Sequence, residues 1–186
     1  MKKIFLSLSL ILMMAISFTS CDEIAKEILK PFDVPLNNIQ LTIPIVTNIS
    51  AESSLGSTTS SFNMDSAIRA NTSGAFSINA VNSIKISQVS VNLQNTDAAN
   101  NISNFETATV KFSTDKNAAQ TTIGSKSILD NNSATNTSTT IDITNSPELK
   151  DYLNGSSTMT YTLYAKARRI TTHTLSAVIN VTLHVQ

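Results

Sequence analysis

Hydrophobic residues follow two different patterns along this chain. Residues 4–16 form an apolar run interrupted only by Ser7 and Ser9, whereas from Ile39 onward apolar residues alternate with small polar ones. Alternation with a period of two places successive side chains on opposite faces of a β-strand. The sequence therefore predicts an apolar leader followed by a predominantly β region.

Alternation is longest near the C-terminus, over residues 159–165 and 175–185. Residues 166–172 lie between these runs and carry three basic side chains over a predicted turn. Two alternating runs joined by a short polar segment are typical of an antiparallel hairpin, which we predict here.

Five shorter strands are predicted upstream, over residues 39–45, 84–93, 108–112, 121–123 and 141–143. Pro44 cannot donate to a β-ladder, so the first strand is predicted at a sheet edge or beside a bulge. In the second, Ile84 and Ile86 alternate in one phase and Val89 in the other. One extra residue shifts the alternation in this way, so we predict a β-bulge between Ile86 and Val89.

Polar segments separate these strands. The Ser-rich residues 53–61 and the Asn-rich residues 92–104 are predicted to be loops, and residues 62–70 one or two helical turns before a loop at 71–74. A second helix is predicted to begin at Ser146, because serine can cap a first turn and Pro147 and Glu148 suit the next positions. Gly155 is predicted to end that helix.

Composition agrees with a β-rich fold. Ser, Thr and Asn account for 69 of the 186 residues, Trp is absent, and there are only four Gly and four Pro. Thr packs well on a pleated sheet, whereas Ser and Asn suit turns. Seven or eight strands with one or two short helices predict an antiparallel β-sandwich of immunoglobulin-like or jelly-roll topology, with a closed β-barrel as the alternative.

The leader has the parts of a secretion signal. Lys2 and Lys3 precede the apolar run, which is too short to span a bilayer core that needs about 20 apolar residues. The chain's single cysteine, Cys21, follows directly after Phe18-Thr19-Ser20. We therefore expect residues 1–20 to be a cleaved signal peptide.

The tetrad of residues 18–21 resembles the lipobox of bacterial lipoproteins. This resemblance implies a thioether between the Cys21 thiol and diacylglycerol, although Phe18 stands where the family usually has Leu or another aliphatic residue. The alternative is ordinary cleavage after Ala15-Ile16-Ser17, which would leave Cys21 as a free thiol. Two or more acyl chains hold a protein firmly on a membrane, so a lipidated domain needs no apolar patch of its own to stay attached.

Residues 21–36 are predicted to be a lipid-anchored tether, with a short amphipathic helix over 22–30 that Pro31 would stop. Asp22 and Glu23 resemble the acidic residues that follow the lipidated cysteine in lipoproteins of the Bacteroidota. The resemblance implies the outer membrane, on its periplasmic or surface face. Residues 37–186 are predicted to form a single β-sandwich domain.

Charge and motifs exclude several classes of function. The leader carries two of the thirteen Lys and Arg and none of the thirteen Asp and Glu, so the remainder has a net charge of 11 − 13 = −2. A nucleic-acid partner would require a basic stripe that the sequence lacks. No phosphate-binding glycine motif or zinc spacing occurs, so we expect no cofactor, no metal and no enzymatic activity.

Candidate chemistry is confined to a few residues. His173 and His184 are interpreted as surface or cross-strand histidines, and Asp130-Asn131-Asn132 as a turn in preference to a calcium site. Lys166, Arg168 and Arg169 could contact an anionic ligand such as lipopolysaccharide or an acidic glycan. The alternative is that these three side chains form a solvated hairpin end.

Three functions follow in order of preference. The first is a non-enzymatic, membrane-anchored envelope module that binds a protein partner or supports a surface assembly. The second is a lipid- or glycan-binding lipoprotein with a pocket in the β-domain, which requires a concave apolar cavity. The third is an enzyme, which would require His173 or His184 to meet a carboxylate and a nucleophile in a cleft.

Overall fold

The structure, a computed structural model, describes residues 29–130, 137–143 and 146–186. These residues form eight β-strands and two short α-helices. In chain order they are β1 (Phe32–Ile43), β2 (Ser53–Ser61), α1 (Met64–Asn71), β3 (Ile84–Gln94), β4 (Phe105–Thr114), β5 (Thr121–Ser127), β6 (Ser138–Ile141), α2 (Lys150–Leu153), β7 (Thr158–Ala167) and β8 (Leu175–Val185). Two 3-10 turns, Ile78–Ala80 and Ile102–Asn104, precede β3 and β4.

The strands form two four-stranded antiparallel sheets that pack face to face. Sheet I has the order β1-β8-β3-β6, and sheet II has the order β2-β7-β4-β5. This strand order is that of a jelly roll, in which two Greek keys of four strands make the two sheets. The predicted antiparallel sandwich is confirmed in its jelly-roll form, and the closed-barrel alternative is wrong.

The core lies between the two sheets and consists of alternating inward-facing side chains. In β8 six buried residues alternate as the sequence predicts: Leu175, Ala177, Ile179, Val181, Leu183 and Val185. Tyr161 of β7 is 1 % exposed, and burial raises the pKa of its phenol. A gap of only about 10 Å³ remains between the sheets, lined by apolar side chains. The sandwich interior is therefore a packed core.

The predicted hairpin of the last two strands is wrong, because β7 belongs to sheet II and β8 to sheet I. Backbone hydrogen bonds hold the β7–β8 connection against the residues before β4 and after β1. The N–H groups of Arg168 and Arg169 donate to the Asn104 carbonyl, at 2.7 and 3.1 Å, and Thr171 N–H donates to the Val46 carbonyl at 3.0 Å. Alternation identifies a strand, but it does not say which neighbour the strand pairs with.

The Ser-rich segment predicted as a loop is strand β2, paired with β7 from Ser53 to Ser61. Leu55 is its one buried hydrophobic side chain. At a sheet edge, backbone pairing on one side together with cross-strand side-chain contacts is enough to hold a strand in place. One such contact joins the hydroxyls of Thr59 and Thr160 at 2.9 Å. A strand of this kind has no alternating apolar pattern that sequence reasoning could detect.

The second helix begins later than predicted, at Lys150, and Ser146 does not cap it. The Ser146 hydroxyl instead accepts from Ile86 N–H at 2.7 Å, and the Glu148 carboxylate accepts from Ile84 N–H at 2.8 Å. Strand β6 pairs with β3 only from Val89 to Asn92. The start of β3 has no strand partner on that side, and the side chains of Ser146 and Glu148 bond its N–H groups instead. Gly155, with a φ of 71°, ends the helical segment as predicted.

Several other local predictions are confirmed, whereas the strand predicted over 141–143 is shifted, since β6 covers Ser138–Ile141. The register of β3 shifts between Ile86 and Gln88, as expected for a bulge, and α1 lies within the predicted helical segment except that it extends one residue further, to Asn71. Strand β1 is an edge strand, with Pro44 directly after its end. It begins at Phe32, earlier than the alternation suggested, and contains a bulge at which Asn38 has a φ of 62°.

Of the Asn-rich segment, residues 92–94 belong to β3 and the remainder is a loop that contains the second 3-10 turn. The signal peptide, Cys21 and most of the predicted helix over 22–30 lie outside the described residues. Leu29, at the end of that segment, is buried against the core. Among the described residues, the helices are too short or too polar to cross a bilayer.

Two glycines lie where the edge strands of the two sheets approach each other, one between β2 and β1 and one between β5 and β6. A Cβ on Gly56 of β2 would lie 2.9 Å from the Thr42 carbonyl oxygen of β1. A Cβ on Gly124 of β5 would lie 2.7 Å from Ile141 Cγ2 of β6. Both distances are too short for a side chain, so glycine allows the sheet edges to close at these points.

Candidate functional site

The two ends of the sandwich are built differently. At one end lie the β1–β2, β3–β4, β5–β6 and β7–β8 connections, of which the structure describes residues 44–52, 95–104, 128–130 with 137, and 168–174; we call these residues the loop end. At the other end β1 begins, β8 ends and both helices lie; we call this the terminal end. Binding residues often lie on loops held by a rigid scaffold.

Exposed hydrophobic side chains concentrate at the loop end. Four large hydrophobic residues are exposed among the described residues, Ile45 (51 %), Ile49 (48 %), Leu129 (84 %) and Ile170 (53 %), and all belong to loop-end connections. At the terminal end, by contrast, the hydrophobic residues of α1 and α2 pack inward, and Ile68 and Leu153 are buried. The loop end therefore exposes more large hydrophobic side chains for contact with another molecule than the terminal end does.

A groove of about 640 Å³ crosses the loop end. Ile49 and Ile170 line it together with Ala98 and Ala99, and Arg168 and Arg169 supply its charged wall. A second groove, of about 450 Å³, includes Leu129 and Asp130 in its lining. Both are open surface depressions, so a ligand there would remain partly in contact with water.

Arg168 holds the loop end together from within. Its guanidinium donates from Nη1 to the carbonyls of Ser103 (2.9 Å) and Phe105 (3.1 Å) and from Nη2 to the Ile128 carbonyl (2.8 Å). One side chain thus joins the β3–β4 connection, the start of β4 and the end of β5. Charged donors make stronger hydrogen bonds than neutral ones, so this arrangement is expected to fix the local backbone.

The other two predicted cations each face an acidic partner. Arg169 Nη2 lies 3.0 Å from Asp130 Oδ1, and Lys166 Nζ lies 2.8 Å from Glu106 Oε2. The hydrogen bond from Lys166 holds the pKa of the Glu106 carboxyl below its usual value. The proposed anionic ligand remains a prediction. To bind there it would have to compete with Asp130 and Glu106 for these cations.

Sequence reasoning missed a set of buried asparagines beneath the groove. Asn100, Asn101 and Asn104 are at most 4 % exposed. Asn104 Nδ2 donates to the Ile170 carbonyl at 2.9 Å, and Asn100 Oδ1 accepts from Thr172 N–H at 2.7 Å. These amides fix the β7–β8 connection. The run of asparagines was visible, but amide-rich sequence is equally typical of an exposed loop.

The two histidines lie apart at different ends. His184 Nδ1 lies 2.8 Å from Asp33 Oδ1 across the β1–β8 pair, as expected of a cross-strand histidine. His173 Nε2 lies 2.9 Å from the Asn95 carbonyl, and its Nδ1 lies 3.7 Å from Asp97.

The candidate calcium turn lies mostly outside the described residues. Asp130 is described, and its carboxylate faces Arg169; Asn131 and Asn132 are not described. Within the described ranges, His, Cys, Asp and Glu side chains do not converge in groups of three or more.

No protein-family model and no curated protein matches the chain. Among solved structures, it is similar to infectious bursal disease virus Gx strain, with a TM-score of 0.37 and 10 % identity over 83 % of this chain and 32 % of the viral chain, so it spans about a third of that protein. It is also similar to the capsid of cyanophage Pam1, with a TM-score of 0.37 and 10 % identity over 83 % of this chain and 85 % of that chain. For the Drosophila NLP core the TM-score is 0.26, at 11 % identity over 78 % of this chain and 98 % of that chain.

Proposed function

We propose that this protein is a non-enzymatic envelope lipoprotein, held on a membrane through diacylglyceryl Cys21, that binds a protein partner with its loop end. The observation that carries the proposal is the placement of Ile45, Ile49, Leu129 and Ile170, all exposed and all at one end. Exposed apolar groups rimmed by polar residues are typical of protein interaction sites. The outer membrane is the proposed location.

The position of the start of β1 supports this use of the loop end. Strand β1 begins at the terminal end, eleven positions after Cys21, and runs twelve residues to the loop end. At about 3.3 Å per residue, β1 spans roughly 40 Å. An anchor at Cys21 would hold the terminal end near the bilayer and direct the loop end away from it. The apolar side chains would then face a soluble or surface partner.

The packed interior favours a surface site over an internal one. The sheets leave about 10 Å³ between them, whereas ligand pockets occupy hundreds of cubic ångströms. A lipid or glycan held inside the sandwich would require the sheets to separate. The loop-end groove of about 640 Å³ needs no such change.

The anchor is tested by mass spectrometry of the N-terminal peptide of the protein from its native host. We expect a diacylglyceryl Cys21, and loss of membrane association for C21A. An unmodified thiol at Cys21 would rule out the lipoprotein assignment. It would leave the loop-end binding surface to be judged separately.

The binding surface is tested by placing a photo-crosslinking residue at Ile49 or Ile170, with Ala75 at the terminal end as the exposed control. We expect the same cross-linked product from both loop-end positions and none from the control, and we expect Ile170→Ser to weaken the cross-linking from position 49. Equal cross-linking from the two ends would contradict the proposed orientation. Absence of a product from Ile49 and Ile170 would contradict a loop-end partner.

A further inference from the structure

The loop-end groove of about 640 Å³ is preformed, because the connections that line it are bonded to each other. Ala98 and Ala99 belong to the β3–β4 connection, Ile170 to the β7–β8 connection and Ile49 to the β1–β2 connection. The buried amide of Asn104 donates from Nδ2 both to the Ala99 carbonyl at 2.8 Å and to the Ile170 carbonyl at 2.9 Å. A groove that is already in place binds a ligand at a lower cost in conformational entropy.

Backbone groups around the groove make their hydrogen bonds within the chain. Ala99 N–H donates to Asp97 Oδ1 at 2.7 Å, and Thr172 N–H donates to Asn100 Oδ1 at 2.7 Å. The Thr172 hydroxyl in turn accepts from Asn100 Nδ2 at 2.9 Å. A ligand would gain little by competing with these partners.

The two arginines that line the groove also direct their donors into the chain. Arg168 donates from Nη1 and Nη2 to three backbone carbonyls. Arg169 Nη2 donates to the Ser103 carbonyl at 3.0 Å and lies 3.0 Å from Asp130 Oδ1, and Arg169 Nη1 donates to Asp130 Oδ2 at 3.3 Å. All N–H groups of a guanidinium lie in its plane, so these bonds occupy much of its edge.

A guanidinium whose edge is occupied still has two flat faces. Carboxylates and phosphates bind the edge through paired N–H groups, whereas an aromatic ring stacks on a face and needs no N–H group. The side chains of Arg168 and Arg169 are 26 % and 41 % exposed. What they offer to a ligand in the groove is therefore mainly a face and an aliphatic stem.

The remaining lining also suits a ring. Ile49 and Ile170 are about half exposed and can contact the rim of a ring, and the small side chains of Ala98 and Ala99 leave room for a planar group. An aromatic side chain buries about 150–250 Å² on binding, more than most side chains. Its ring can meet a cation and apolar neighbours at the same time.

We propose that the loop-end groove binds an aromatic side chain of the protein partner, with the ring stacked on the Arg169 guanidinium and its rim against Ile49 and Ile170. This inference rests on the proposed loop-end function and names the side chain that the surface selects. Aromatic residues in well-packed pockets supply much of the binding energy of protein interfaces. Arg169 is held in place by Ser103 and Asp130 before the ring arrives, so stacking orders no further side chain of the groove.

A second copy of the chain does not supply this ring from the residues that the structure describes. All Phe and Tyr side chains in the described ranges are buried or half-buried. Most of the half-buried ones pack against the core: Phe32, Phe62, Phe76 and Tyr152. The half-buried Tyr164 has Lys111 Nζ 4.2 Å from the centre of its ring. The occupant is therefore a side chain of a different protein.

The test is a methyl NMR titration of the full chain in detergent micelles. The probe is N-acetyltyrosine amide, and N-acetylleucine amide is the aliphatic comparison; neither carries a charge. We expect saturable ring-current shifts of the Ile49 and Ile170 methyl signals, with the leucine amide binding at least about fivefold more weakly because it lacks a π-face. The methyl groups of Ile45, which is exposed at the same end but does not line the groove, report non-specific association and should not shift saturably.

Substitutions separate stacking from charge. Arg169→Lys keeps the charge but loses the plane, and should weaken tyrosine amide binding at least about threefold. Arg69→Lys is the matched control: Arg69 lies on α1, is exposed and pairs with Asp65 at 2.7 Å, and its substitution should leave binding unchanged. If Arg169→Lys impairs folding, Ala98→Leu serves in its place, because a larger side chain at position 98 fills the groove and should also weaken binding.

Equal affinity for the two amides would show that the groove is merely apolar and would overturn the proposal. So would an absence of saturable shifts, or unchanged binding by Arg169→Lys. A product cross-linked from Ile49 that proves to be a second copy would overturn the choice of occupant. If Ile49 and Ile170 cross-link to a partner while the tyrosine amide does not bind, the aromatic site fails and the loop-end partner stands. If the amide binds but neither position cross-links, the loop-end partner fails instead.

Discussion

The terminal end and the loop end belong to the same two sheets, and charged side chains bond the backbone at both, with carboxylates prominent at the first and a guanidinium at the second. At the terminal end, carboxylates accept hydrogen bonds from backbone N–H groups, as Glu148 does from Ile84 at 2.8 Å and Asp115 does from Ser157 at 3.1 Å. At the loop end, the Arg168 guanidinium donates to three backbone carbonyls. Both arrangements satisfy the backbone where sheet pairing ends.

The two ends also differ in their use of hydrophobic residues. Leu149 at the terminal end is 1 % exposed, whereas Leu129 at the loop end is 84 % exposed. Burial stabilises the fold in the first case and contributes little in the second. The comparison teaches that hydrophobic burial stabilises the terminal end. At the loop end, hydrogen bonds of polar and charged groups fix the backbone, and the large apolar side chains remain at the surface.

The largest expected effect comes from making the same change at both ends. Leu149→Ala should lower the free energy of unfolding by about 2–5 kcal/mol, because it leaves a cavity in the core. Leu129→Ala should change it by less than about 0.5 kcal/mol, as expected for a surface substitution. Urea denaturation followed by circular dichroism measures both. Equal losses would mean that the two ends do not differ in packing.

A smaller effect is expected from removing the loop-end cation. Arg168→Met removes three hydrogen bonds, to the carbonyls of Ser103, Phe105 and Ile128, and should cost about 2–3 kcal/mol in unfolding free energy. Arg169→Met is the matched comparison and should cost less, about 1.5 kcal/mol or less, since it loses one hydrogen bond to the Ser103 carbonyl and a surface ion pair with Asp130. Urea denaturation of the two variants measures the difference in their unfolding free energies. A larger loss for Arg169→Met would contradict the structural role of Arg168.

The smallest expected effect is a local response to acid at the terminal end. Hydrogen bonds from the Ser156 hydroxyl, Thr158 N–H and the Ser157 hydroxyl hold the pKa of Asp115 well below its ordinary value. Partial burial pushes the pKa of Glu148 upward, but hydrogen bonds from Ser83 and from backbone N–H groups outweigh it and lower that pKa.

A carboxyl whose pKa is lower in the folded state stabilises the fold above its unfolded pKa, and this stabilisation is lost as the pH falls through the folded pKa. Amides of residues 83–86 and 156–158 should therefore lose exchange protection before those of residues 168–171, whose N–H groups bond backbone carbonyls where a bond is described, when pH is lowered below about 4. Exchange measured by mass spectrometry checks this, with Asp115→Asn expected to remove part of the pH dependence. Simultaneous loss at residues 168–171 would show that Asp115 and Glu148 do not act locally.

Much of the sheet structure could be predicted because burial imposes a pattern on the sequence. Strand β8 alternates strictly, since its inward side chains all enter the core, and the bulge in β3 appears as a phase change between Ile86 and Val89. Strand β2 could not be found in the same way. An edge strand of Ser and Thr is held by backbone bonds that any residue can make.

The candidate surfaces were only partly predictable. Arg168 and Arg169 were recognised as a cationic pair, but the contacts of Arg168 with Ser103 and Ile128 join residues far apart in sequence. The gathering of Ile49 and Ile170 at one end follows from the jelly-roll order, in which every connection at that end passes between sheets. A single hydrophobic residue in a loop carries no information about such neighbours.

The sequence by itself determined the β class, most strand positions and the candidate lipid anchor at Cys21, because these follow from local alternation and from a short contiguous motif. Tertiary structure decided the pairing of β7 and β8 with different sheets, the strand β2, and the separation of a packed terminal end from an exposed loop end. Those features depend on hydrogen bonds and contacts between residues distant in the chain. Local pattern records which face of a strand is buried, but not which strand covers it.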